Sequence, residues 1–164
     1  MMTAQVTRTL ENDDMPKVLI LFAGDDGAAA PLAKDVGAAA KAVRFTEVDI
    51  RAVADQTAEG FQDYDGVVIV GSGDELPPAL GALLDACERS DAPGFENTVL
   101  ATVGFANATI LERVARLGGI VVTGRRRRLD SKAHAVLVGT RVAKVAEWVR
   151  HALSHEHAHH HHAH

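Results

Sequence analysis

Short unbroken apolar runs alternate along this chain with stretches in which apolar residues return every three or four positions. The unbroken runs are Val18-Leu19-Ile20-Leu21-Phe22, the four residues Val67 to Val70 inside Gly66 and Gly71, the span 98–104 around Val99 and Val103, and the span 120–124 beginning Ile120-Val121-Val122. Lacking a polar face, each reads as a strand covered on both sides, as in a parallel sheet with helices above and below. Residues 44–50 instead alternate polar and apolar and predict an edge strand with one wet face.

Between these runs the period changes to that of a helix. Leu32, Val36, Ala39 and Val43 form one predicted face, with Gly37 weakening the helix but allowing close packing on the sheet. Asp74 is a natural cap, and Pro77 fits the first turn of a helix striped by Leu76, Leu80, Leu83, Leu84 and Cys87. Asn107 can cap a helix facing inward through Ile110, Leu111, Val114 and Leu117, and Gly118-Gly119 ends it with a left-handed residue. A final helix over about residues 131–153 would bury Ala135, Val138, Val142, Val145 and Val149, with Trp148 at its border. Residues 55–65 are polar and carry no clear period.

Five strands joined through helices by short connections predict a doubly wound, five-stranded parallel α/β sheet with helices on both faces. The wet second strand suits the edge of the order 2-1-3-4-5. Residues 1–15 read as a mobile arm, 16–153 as one domain and 154–164 as a disordered His-rich tail. A length of 164 residues with 47% hydrophobic composition is enough for one substantial core.

The formal charge of −5 argues against nucleic acid as a partner. No apolar run reaches the roughly 18 residues of a membrane span, and the first residues lack a signal-peptide core, so a soluble cytoplasmic protein is expected, with no membrane partner. The single cysteine, Cys87, excludes an internal disulfide and reads as a buried thiol on an apolar stripe.

Candidate chemistry collects where strands give way to helices. The loop Gly24-Asp25-Asp26-Gly27-Ala28-Ala29 lies where backbone N–H groups of a helix start can meet a phosphate, yet it carries two acids. Those acids read more simply as helix caps than as a metal pair. Gly71-Ser72-Gly73 follows the third strand without completing a dinucleotide fingerprint. Arg125, Arg126, Arg127 and Arg128 fall at the same edge of the sheet and offer a small anionic ligand a place, or else form a solvated charge run. Eight of the nine histidines lie in residues 151–164. Of these, His155, His157, His159, His160, His161 and His162 could ligate a divalent transition metal without fixed geometry, and the tract reads equally as native tail or as an expression tag.

Several of these segments, in order, resemble the flavodoxin family, and in particular its tryptophan-repressor-binding-protein-like NAD(P)H:quinone oxidoreductases. The glycine and the Leu32-Ala33 step of the first loop match the family's S-x-T-G-N-T loop and the helix that follows it. Residues 63–71, 117–124 and 133–150 are similar to its third-strand start, fifth-strand step and last helix. The resemblance implies FMN across the carboxyl ends of strands one, three and four. Gly24, Asp25, Asp26, Gly27, Ala28 and Ala29 would then face the phosphate, Ser72, Gly73 and Gly104 would lie near the ring, and NAD(P)H would enter only when FMN is bound.

The departures point the other way. Gly24, Asp26 and Ala29 stand where the family has hydroxyl side chains. Residues 71–75 replace its flavin-holding segment and bring no aromatic, and residues 104–107 are a short fourth loop. A carboxylate about 4 Å from a phosphate costs about 1 to 4 kcal/mol per charge pair. The expectation is therefore a flavodoxin-like protein with FMN binding weakened or lost and no assignable catalytic residue. A non-catalytic binding or assembly module is the alternative, and a homo-oligomer is left open. The acidic pair also resembles that of a receiver domain, but the third strand ends in Val70-Gly71-Ser72 with no acceptor aspartate and no lysine closes the fifth.

Overall fold

The continuous apolar runs become the centre of a five-stranded parallel sheet. The computed structural model describes residues 15–23, 27–43, 45–73, 75–89, 95–105, 108–122 and 131–162, without the side chains of residues 108, 131 and 154–162. Strand β1 (Lys17–Phe22) pairs on one side with β2 (Glu47–Ala52) and on the other with β3 (Gly66–Gly73). Beyond β3 lie β4 (Val99–Phe105) and the short β5 (Ile120–Val121), so the order is β2-β1-β3-β4-β5. All pairs are parallel. Fold class, strand order and the edge position of the second strand agree with the expectation.

The helices α1 (Ala29–Ala42), α2 (Pro78–Arg89), α3 (Ala108–Ala115) and α4 (Ser131–His162) cover both faces. Successive residues of β1 serve different layers, as the two-residue period of a strand requires. Leu19 and Leu21 pack with Leu80, Leu84, Ile110 and Val114 of α2 and α3, whereas Val18 and Ile20 pack with Val36, Val138 and Val142 of α1 and α4. Two short 3-10 turns, Val53–Asp55 and Ala58–Phe61, fill the segment that had no clear period. They bring Phe61 to a ring-centroid distance of 5.2 Å from Phe95.

The inward face of α1 is rotated from the expected one. Ala29, Ala33, Val36, Gly37 and Ala40 are buried, while Leu32 is only partly so. The cause is the neighbouring helix: α4 approaches so closely that a Cβ on Gly139 would fall on the Val36 carbonyl and lie 3.1 Å from the Ala39 methyl. At position 139 only glycine fits such a contact. Gly37 has the expected close approach to the sheet, where an added Cβ would be 2.9 Å from Ile50 Cδ1. Gly118 has the left-handed conformation that ends α3, at φ +92°.

Three further differences concern where elements begin and end. Strand β5 ends at Val121, shorter than expected, and residues 123 and 124 lie outside the described residues. Leu76 precedes α2 instead of starting its stripe. Helix α4 continues nine residues beyond Leu153 to His162, where the expectation was a disordered tail. Apolar periodicity stops at the edge of the core, but backbone hydrogen bonding does not have to.

Polar contacts tie the starting ends of the strands together. The Asp65 carboxylate accepts the Lys17 backbone N–H at 2.9 Å and the Arg150 guanidinium at 3.1 and 3.2 Å, linking β1, β3 and α4. Tyr64, buried beneath β2, donates its hydroxyl to Asp49 at 2.6 Å, and Lys17 Nζ and the Arg51 guanidinium lie 5.7 and 5.8 Å from its ring. Burial first, then the bond to and charge of Asp49, push the Tyr64 pKa up to about 12.

Two expectations follow. Alanine at position 139 would gain about 1 kcal/mol in helix propensity. Separating α1 from α4 costs about 1 to 3 kcal/mol, so Gly139→Ala should lower the urea midpoint; a raised midpoint would mean that the helices part freely. The folded pKa of Tyr64 exceeds its free-chain value of about 10, so its contribution is complete below about pH 10 and disappears as pH rises through about 12. Tyr64→Phe should therefore lower stability at neutral pH by about 1 kcal/mol and flatten the alkaline loss, as read from urea midpoints across that range.

Candidate functional site

The carboxyl ends of β1, β3 and β4 form one edge, and their loops deliver the backbone of the site. After β1, the Ala23 N–H donates to the Val70 carbonyl at 2.8 Å, holding the loop's start against β3. The next described residue is Gly27, whose φ of +75° needs glycine and where an added Cβ would meet nothing within 4 Å among the described residues. Ala28 is the exposed residue before α1 and has no side-chain hydrogen bond to its first turn, while Ala29 is buried in the core. An approaching anion would therefore meet backbone N–H groups and the positive end of the helix dipole, with no hydroxyl from these three residues.

The ends of β3 and β4 meet backbone to backbone. Their register shifts between Val70 and Gly73, and Gly73 and Gly104 adopt φ of +84° and +89°. A Cβ on Gly104 would fall on the Gly71 carbonyl oxygen, and a Cβ on Gly71 would fall into the Phe105 ring. Phe105 is the residue the sequence reading missed. Residues 71–75 bring no aromatic to this edge, but β4 does, because Gly71 and Phe105 share a face of the sheet. Ser72, half-buried, supplies the one hydroxyl among the described candidate residues.

Of the expected site residues, Gly27, Ala28, Ser72, Gly73 and Gly104 are therefore gathered at this edge, and Ala29 is turned into the core. Gly24, Asp25, Asp26, Asp74, Asn107 and Arg125 to Arg128 lie outside the described residues. The residue that precedes α1 is Ala28, not an acid, and α1 has no acidic residue in its first turn.

Elsewhere the chemistry is quiet. Burial, followed by the charges of Glu59 and Glu88, pushes the Cys87 thiol up to about 11, so it stays protonated at neutral pH and is a poor nucleophile. Among the described residues no group of three or more His, Cys, Asp or Glu side chains could hold a metal. A cleft of about 250 Å³ lies between Leu76 and α3, lined by Thr109, Ile110, Glu112, Arg113 and Arg116. Its Arg113 is held by Asp85 and by Glu88, the latter at 3.2 Å, which joins α3 to α2 and neutralises the cation.

Solved structures share this arrangement along most of the chain. An archaeal flavodoxin superposes with a TM-score of 0.64 at 12% identity, covering 80% of this chain and 99% of its own. A short-chain flavodoxin associated with a bacterial microcompartment gives 0.67 at 12% identity over the same shares. The chain has the flavodoxin-like fold. Flavodoxin 1 from Bacillus cereus agrees, with a TM-score of 0.60 at 16% identity over 78% of this chain and 97% of its own. The flavodiiron protein from Giardia intestinalis gives 0.58 at 14% identity, covering 91% of this chain but 41% of that larger one. No family model matches the chain, and no curated protein matches it in sequence. Among the described residues, no helix is long and apolar enough to cross a membrane.

Among the described glycines of this flavodoxin-like scaffold, Gly104 is the least tolerant of a side chain. Its left-handed backbone costs an L-residue about 1 to 2 kcal/mol, before the contact with Gly71 is counted. Gly104→Ala should lower the melting temperature by several degrees, at about 2 to 4 °C per kcal/mol for a chain of this size. An unchanged melting temperature would show that the two loop ends are not held in contact.

Proposed function

We propose that this chain is a flavodoxin-like protein related to the FMN-dependent NAD(P)H:quinone oxidoreductases, in which FMN binding is weak or lost. One observation carries the reading: at the start of α1, where a flavin phosphate would sit, Gly27, Ala28 and Ala29 offer backbone N–H groups and no hydroxyl. The fit to FMN is thus one-sided. A phosphate has a helix terminus to approach, but the side-chain donors are missing, and the sequence puts Asp25 and Asp26 immediately before. Each lost neutral hydrogen bond weakens binding by about 0.5 to 1.5 kcal/mol. No step of flavin chemistry is assigned to these residues, and NAD(P)H has a role only with FMN in place.

A second reading is a non-catalytic binding or assembly module built on the same scaffold. It is favoured by Trp148, whose indole is 71% exposed on α4 away from both core layers. A large aromatic displayed to solvent is common at contact surfaces with other proteins.

Titration of FMN fluorescence separates the readings. The expected result is little or no quenching with the native chain, and an affinity gain of about tenfold or more for Asp26→Thr, because removing one carboxylate near the phosphate is worth about 1 to 4 kcal/mol. Tight binding by the native chain would overturn the lost-cofactor reading. A variant that never quenches would leave the module as the better account.

A further inference from the structure

Strand β2 closes one side of the sheet, and among the described residues no strand lies beyond it. The Glu47 N–H donates to the Pro16 carbonyl at 2.9 Å, toward β1. Peptide groups alternate in direction along a strand, so those of Glu47, Asp49 and Arg51 are directed at β1 and those of Val48, Ile50 and Ala52 at the open side. Edges that stay single commonly carry lysine, proline or a bulge. Strand β2 has none of these: its register with β1 is unbroken from Glu47 to Ala52. Ile50 is 41% exposed although α1 covers part of it at Gly37. Asp49 and Arg51 flank it on the opposite face, 3.8 Å apart, with side chains 47% and 43% exposed.

From this pattern we propose that β2 is an interface with a second copy of the chain, paired antiparallel about a two-fold axis through Ile50. In that register Ile50 faces its own counterpart and Val48 faces the partner's Ala52. On the other face Asp49 meets the partner's Arg51, and Arg51 the partner's Asp49. The outward peptide groups of Val48, Ile50 and Ala52 then complete a ladder, and the two sheets become one. Charge selects this register. Moving the axis one residue either way, to Asp49 or to Arg51, sets two like charges directly opposite, which is destabilising. With the axis at Ile50, every cross-strand charge pair along Asp49 and Arg51 is of opposite sign, and the intrastrand pairs close them into a ring of alternating charge. The contact is small, so the dimer is a weak one that forms at high concentration. It uses the length of β2 and not the carboxyl ends of β1, β3 and β4, so it holds whether or not FMN binds there.

Sedimentation of the full chain between about 1 µM and 1 mM should show monomer passing into dimer. Ile50→Lys puts two ammonium groups across the axis and should weaken association at least about tenfold. Asp49→Arg and Arg51→Asp should each leave the chain monomeric, since each sets like charges opposite. An equimolar mixture of the two variants should associate, because both cross-strand pairs are then of opposite sign again. Hydrogen exchange of the native chain needs no variant. At the high concentration the N–H groups of Val48, Ile50 and Ala52 should exchange more slowly, while those of Glu47, Asp49 and Arg51 stay as they are. A monomer at every concentration, a dimer untouched by Ile50→Lys, or a mixture of folded variants that stays monomeric would overturn the proposal. So would equal protection of the outward amides at low and high concentration, which would mean that the edge is covered within one chain.

Discussion

The rest of the molecule depends on how closely α4 lies against α1. Gly139 faces the Val36 carbonyl with no room for a Cβ, and Ala33, Ala40, Ala135, Ala143 and Ala146 are fully buried around this crossing. Small side chains give up hydrophobic area per residue, but they let two backbones share one face of a narrow sheet. The first turn of α1 opens at the carboxyl edge of β1, beside the ends of β3 and β4.

The same economy of side chains shapes the candidate site. Gly27, Ala28, Gly71, Gly73 and Gly104 leave an edge made largely of backbone, with Phe105 filling the space over Gly71. Backbone N–H groups at a helix terminus attract anions without selecting among them. Selectivity for a flavin would need hydroxyl donors and ring contacts supplied by side chains, and among the described candidate residues the one hydroxyl is that of Ser72. The architecture is flavodoxin-like, and the proposal of weakened FMN binding rests on this scarcity of side-chain donors.

Much of the fold was legible because a strand covered on both faces has no polar positions, and β1, β3 and β4 announce themselves in that way. The face of α1 was harder to read. Alanine is apolar on every side of a helix, so Ala29, Ala33 and Ala40 could not be told from Ala39 until α4 was in place. The polar side of β2 gave no hint that Asp49 would bind Tyr64, since that contact depends on the path of the two 3-10 turns. Phe105 could not be found from parity, because alternation along β4 groups it with Val103, and the register shift after Val70 is what brings its ring to Gly71. The continuation of α4 past Leu153 had no apolar signal, as those turns cover no core.

The central claim is that a flavodoxin-like scaffold persists here while its hold on flavin has weakened. The most direct measurement is the visible absorbance of the freshly isolated protein, followed by assay of any flavin released on denaturation. The account predicts a colourless protein that releases none. A yellow protein that releases one flavin per chain would contradict it.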